Sequence, residues 1–283
     1  MKKSSQYFSK KFISNYLIDY QTGAGTLPAL NNLFAMLKKI DKTAFMGHGP
    51  IQTLYPGYTI SGSDSGIGSI GRIDHAYVRG KQHIAMHPHV NDEILSYFRA
   101  GKVEHIDSEG YKDTITSTRL MLMKAGKLFY HEELIDGQSE PFEGLQIFIR
   151  PGAKNLKPEV TFQNLGQRDS ENTWRLLASP TSQTTLRFSS QSWLYDNNVS
   201  AGTITELPEM PDNDLTALLY IYQGSVQVNG HIDLEKNEAL IVVKEVISIK
   251  TGTGAEMVLF YTAEHGSIFK DGMFSGNKAS FKD

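Results

Sequence analysis

The chain has 283 residues, a net charge of −3, 40% apolar residues and no cysteine. That is enough chain and apolar content for two packed cores, and the near-neutral balance offers no basic surface for nucleic acid. Disulfides, thiolate metal sites and a cysteine nucleophile are excluded, so any metal must sit on nitrogen and oxygen donors.

The first residues, MKKSSQYFSKKFISNYLIDY, are broken by lysines and serines and contain no apolar core of a signal peptide. No stretch approaches the roughly 20 apolar residues of a membrane helix. The expected location is the cytoplasm, with no membrane contact. Residues 27–40, LPALNNLFAMLKKI, place Leu30, Leu33, Phe34, Leu37 and Ile40 at helical spacing. Thr26 suits the N-cap and Pro28 the first turn. The pattern predicts a helix that docks on the body, with a partner-binding helix as the alternative.

From about residue 45 the pattern changes to short β-rich runs that end in Gly or Pro-Gly: HAYVRG, EILSYFRAG, KVEHIDSEG, RLMLMKAG and GLQIFIRPG. GSDSGIGSIG, residues 62–71, has no helix pattern behind it and reads as a flexible loop rather than a phosphate cradle. A second β series follows later: ALLYIYQG, SVQVNG, EALIVV, VISIKTGTG and EMVLFYTAEHG. Each series has the layout strand, Gly, strand, turn. The fold expected is mostly all-β, with two tandem β-barrels or jelly rolls from an internal duplication and an N-terminal helical extension. The expected divisions are 1–45 for the extension, 46–165 for the first barrel and 166–283 for the second. The polar, Pro- and Gly-containing stretch after GLQIFIRPG forms the connector.

The chemistry concentrates in the first series. Seven of nine histidines lie between His48 and His131. In HIAMHPHVNDEIL, His87 and His89 are two apart, a spacing that puts both on one face of a strand. Pro88 between them lacks an N–H, which suits an edge or a strand end. In YHEEL, His131 and Glu133 repeat that spacing. Two neighbouring strands pointing these pairs inward would gather three imidazoles and a carboxylate, a donor set for Fe(II), Mn(II), Ni(II) or Zn(II). His83 shares the face of His87 one step away and reads as a surface site, with the pocket mouth as alternative. His105 precedes a turn and reads as structural or exposed. His231 follows the hairpin signal Asn229-Gly230, and neither it nor His265 has a partner at ligand spacing. The second barrel is therefore expected to be metal-free.

HPHVNDEILSYFRAGKVEHIDSEG, followed by LMKAGKLFYHEE and GLQIFIRPG, resembles the pirin family, a bicupin branch of the cupins. The resemblance covers about residues 71–152 and extends more loosely into the second half. It implies two cupin barrels and the metal ligands His87, His89, His131 and Glu133. Gly80, His87, His89, Glu93 and Gly101 also follow the wider cupin pattern, with one extra residue in each gap beside a glycine, which makes Glu93 the competing carboxylate or an outer partner that orients an imidazole. The chain departs from the family at Ala125-Gly126-Lys127-Leu128, where a second glycine is usual, and at Glu132, where a small residue is usual.

The function this resemblance implies is a metal-dependent dioxygenase that opens quercetin-like flavonols with O2. Fe(II) is the first expectation for the cofactor, with Ni, Mn, Zn and Co as alternatives. Glu93 or Glu133 would act as base, and Phe98, Phe129 and Tyr130 would wall a channel for a planar aromatic substrate. A non-enzymatic regulatory protein with a protein partner, working as a monomer or weak dimer, is the alternative. A sugar or small-acid isomerase on the same scaffold is a third reading.

Overall fold

The computed structural model describes residues 35–47, 49–212 and 214–277. The described residues open with β1 (Met36–Ile40). There follow β2 (Ile51–Leu54), β3 (Ile70–His89), β4 (Glu93–Ala100), β5 (Lys102–Asp107), β6 (Lys112–Thr116), β7 (Arg119–Lys124), β8 (Phe129–Ile149) and β9 (Glu159–Asn164). β2 to β9 form one sheet in the order β2-β3-β8-β4-β7-β6-β5, with β9 on β7. Pairing of β5 back to β8 closes it into a barrel. The closure is achieved by length. β8 spans 21 residues, so its first half pairs with β5 and its second half with β4.

β10 (Arg175–Ser179), β11 (Leu186–Arg187), β12 (Ser192–Val199), β13 (Ile204–Glu206), β14 (Leu215–Val228), β15 (Ile232–Glu235), β16 (Ala239–Val243), β17 (Ser248–Lys250) and β18 (Ala255–Ala263) join β1 in the second, ten-stranded assembly. Each assembly has its own apolar core. One is built on residues such as Ile94, Phe98, Ile115 and Phe148, the other on Leu219, Leu240, Val242 and Leu259. No helix among the described residues is long and apolar enough to cross a membrane.

The helix expected over residues 27–40 is not what residues 36–40 form. They are a strand, antiparallel to β16, with Ile40 buried and Leu37 packed on the second core. The remainder of that expectation lies outside the described residues. The cause is non-local. All five residues of β16 are buried, and without β1 one row of its N–H and C=O groups would have no partner. Covering that row outweighs a weak helical preference.

The far end of the chain packs on the first sheet. The Asp92 carboxylate accepts hydrogen bonds from the Phe274 and Ser275 backbone N–H groups and from the Ser275 hydroxyl. Arg150, immediately after β8, is fully buried and donates to the Ser275 and Gly68 carbonyls, Ser65, Asn277 and Asp64. Residues 65–71 are buried, so the glycine-rich stretch is not the loose loop expected from its composition. A Cβ on Gly66 would stand 2.8 Å from the Arg150 guanidinium carbon, which is why a residue without a side chain sits there.

Two carboxylates at these junctions set the acid limit of the fold. Burial alone would raise the Glu143 pKa, but hydrogen bonds from His75 and Lys236 outweigh it and hold the group at about 2. Burial likewise opposes, and bonds from Arg150, Gly66 and Lys270 win, at Asp64, also held at about 2. Both values lie below the ordinary 4.5 and 3.8. Their contribution to stability is therefore complete above those ordinary values and is lost as pH falls toward 2. Thermal melts recorded downward from pH 5 should show this loss, and Glu143→Gln should flatten it. An unchanged slope in that variant would contradict the assignment.

Candidate metal centre

β3 ends on His87, Pro88 and His89, and β8 begins on Phe129, Tyr130 and His131. The two run antiparallel with His87 opposite His131 and His89 opposite Phe129. A break in register between Ile84 and His87 sets this alignment. On the other side of β8, β5 places Asp107 opposite His131 and His105 opposite Glu133. Side chains alternate along β8, so Phe129, His131, Glu133 and Ile135 point inward, and Tyr130 and Leu134 outward.

The structure brings His87, His89 and His131 together. Their ring centroids lie 4.5 Å apart for His87–His131, 4.8 Å for His89–His131 and 4.9 Å for His87–His89. Glu133 groups with His131 and His105 in a second cluster that shares His131 with the first. Gln146 donates to both Glu133 oxygens, at 2.8 and 3.0 Å. Glu93 is in neither cluster; its buried carboxylate accepts from the Ser189 N–H at 3.0 Å. His83 is half-exposed and pairs with Glu132 at 3.0 Å. Glu132 thus faces away from Glu133, as strand alternation requires.

The electrostatics favour neutral imidazoles. Burial, reinforced by His89, His87 and His105, lowers the His131 pKa to about 2. Burial also lowers that of His87. Burial raises the Glu133 carboxyl to about 7, against the opposing hydrogen bonds from Gln146.

The residues fit a divalent cation by a direct criterion. His131 Nε2 is buried and has no hydrogen-bond partner. A buried nitrogen lone pair left without a donor costs free energy unless something else takes it up. His87 Nδ1 donates to the Ala85 carbonyl at 2.9 Å, which leaves its Nε2 lone pair 3.1 Å from His89 Nε2. One ligand nitrogen from each of His87, His89 and His131 lies within 4.8 Å of the other two, a donor set for a first-row metal.

A cavity of about 340 Å³ reaches this region. Glu133 and Gln146 supply its polar end, and Ile84, Val103, Ile135 and Phe142 are among its apolar walls. The aromatic walls expected from sequence are elsewhere. Phe98 and Phe129 are core residues, and Tyr130 is exposed. Phe129 and Tyr130 are neighbours on a strand, so at most one of them could have pointed inward. His105, expected before a turn as structural or exposed, is fully buried inside the barrel, bonded to Asp107 at 2.8 Å. Val103, His105 and Asp107 alternate as inward positions, and that alternation was the available signal.

The Pirin family model matches residues 63–149, which hold every residue of both clusters. That region of the chain is similar to the pirin family. Quercetin 2,3-dioxygenase of Escherichia coli K12 is 24% identical to this chain over 201 residues, covering 69% of this chain and 83% of the relative. A pirin-like protein of Arabidopsis thaliana is 31% identical over 90 residues, 31% of this chain and 29% of the relative. Among solved structures, the bacterial pirin YhhW of Escherichia coli in complex with nickel(II) superposes with a TM-score of 0.69 at 20% identity, covering 81% of this chain and all of that chain. Quercetin 2,3-dioxygenase of Acinetobacter baumannii gives 0.65 at 20% identity, covering 80% and 86%. At these identities the two superpositions establish the fold shared by this chain and those proteins.

Proposed function

We propose that this protein is a pirin-like, divalent-metal-dependent dioxygenase acting on a small planar enolic aromatic of the quercetin type. The observation that carries the reading is the partnerless, buried His131 Nε2 beside His87 and His89, on the same strand as Glu133, which lines a largely apolar cavity. The names of the relatives support the reaction class. Ni and Fe are the leading metals, the first being the ion in the YhhW structure.

His87, His89 and His131 would hold the ion through ring nitrogens, with Glu133 as a fourth donor. A divalent cation there makes the hydroxyl of a bound enol more acidic. The chain supplies the rest. Glu133 lines the cavity and can take up the released proton. Gln146 fixes the carboxylate that receives it. Ile84, Val103, Ile135 and Phe142 exclude water and favour a flat apolar ring. Glu93 has no part in this proposal, because Ser189 occupies it.

Oxygen uptake with quercetin tests the proposal. The metal-loaded protein should consume O2, and His87→Ala should abolish the uptake. Uptake that survives the loss of His87 would remove the dioxygenase reading.

A further inference from the structure

Behind the three clustered histidines lies a line of groups that the metal-site reading does not use. Asp107 and His105 both have fully buried side chains. Asp107 Oδ2 stands 2.8 Å from His105 Nε2. Asp107 Oδ1 accepts the backbone N–H groups of Glu109 and Tyr111, which pins the carboxylate in its turn. On the far side of the His105 ring, Nδ1 stands 3.3 Å from His131 Nδ1. Phe129 lies beside the His105 ring, nearly parallel to it, at a centroid distance of 6.4 Å.

The proton positions follow by elimination. A carboxylate only accepts, so His105 must carry its proton on Nε2. A neutral ring protonated on Nε2 has a bare Nδ1, which can only accept. His131 must then donate from Nδ1, which leaves His131 Nε2 bare. That is the atom found buried without a partner among His87 and His89. The strand register builds this line directly, since Asp107 lies opposite His131, and His105 opposite Glu133, across the β5–β8 pair.

We propose that Asp107 and His105 are positioning residues that act through His131, fixing its ring as the Nδ1-protonated tautomer so that Nε2 is presented to the cation. This rests on the metal-site reading above, and it assigns His105 a role outside the ligand set. The relay differs from the arrangement at His87, whose tautomer is fixed by one backbone carbonyl. At His131 a side-chain charge two steps away does that work. An outer carboxylate of this kind also makes the ligand imidazole a better donor.

Asp107→Asn makes the clean test because it keeps shape and reverses polarity. Its amide oxygen can still accept from Glu109 and Tyr111, while its NH2 group donates toward His105. His105 must then move its proton to Nδ1, and His131 must move its proton to Nε2. Two-bond 1H–15N spectra of the chelator-treated full chain should show His131 protonated on Nδ1 in the wild type and on Nε2 in Asp107→Asn. Competition with a chromophoric chelator should show Ni(II) binding weakened by roughly 10–100-fold in the variant. His105→Gln should weaken Ni(II) similarly without changing the number of ions bound. A His131 tautomer that is opposite in the wild type, or unmoved by Asp107→Asn, would overturn the proposal. So would a complete loss of the bound Ni(II) in His105→Gln, which would make His105 a ligand. If the wild type binds no Ni(II), the metal-site reading fails, and the tautomer spectra still decide the relay.

Discussion

Replacing Arg150 with alanine should lower the unfolding free energy by about 3–5 kcal/mol, the cost of breaking a buried ion pair by removing one partner. The guanidinium is fully buried and meets five groups from two distant segments, Asp64, Ser65 and Gly68 on one side and Ser275 and Asn277 on the other. Losing it takes this donor from the Ser275 and Gly68 carbonyls and leaves Asp64 with only Gly66 and Lys270. Lysine should not rescue the variant, because a single ammonium cannot reproduce a planar fork with five donors. The effect reaches the histidine cluster through the tail, where Phe274 packs against His89 at a ring distance of 4.9 Å. Urea unfolding measures the loss, and the variant should also bind Ni(II) more weakly. A change below about 1 kcal/mol would place Arg150 among ordinary surface charges.

His131→Ala should have the largest effect on the centre itself. Four-donor zinc sites supply roughly 10–16 kcal/mol, so an even share makes one donor worth about 3 kcal/mol, or about a hundredfold in affinity. His131 should exceed that share, because it belongs to both clusters and its Nε2 is already desolvated. Chelator competition with the purified variant reads this directly. Affinity within threefold of wild type would mean that the ion binds elsewhere. Of its hydrogen bonds, the metal-free variant should lose only the Nδ1 contact with His105, since Nε2 makes none.

The features that could be read from sequence were those with a local period. His-x-His and His-x-Glu reveal a shared face because side chains alternate along a strand, and the structure places His87, His89 and His131 together. The β runs and their glycine turns were equally local. His105 and Asp107 carried the same alternation with Val103, but proximity to a turn left a structural and an exposed reading of His105 both open. The barrel closes beyond that turn, and closure depends on pairing with β8, which lies 26 residues further along at His131. Arg150 gave no sign at all, since its partners come from 82 to 127 residues away. The segment around Leu37 and Ile40 failed in the opposite sense. Its apolar spacing suits a helix, yet β16 offers an uncovered edge nearly 200 residues later. Contacts of that range cannot be weighed from a window of sequence.

The central claim is tested most directly by anomalous diffraction from crystals of the full chain loaded with Ni(II). One peak per chain bounded by ring nitrogens of His87, His89 and His131 is the predicted result. A peak at any other group of side chains, or no peak in well-ordered crystals, would contradict it.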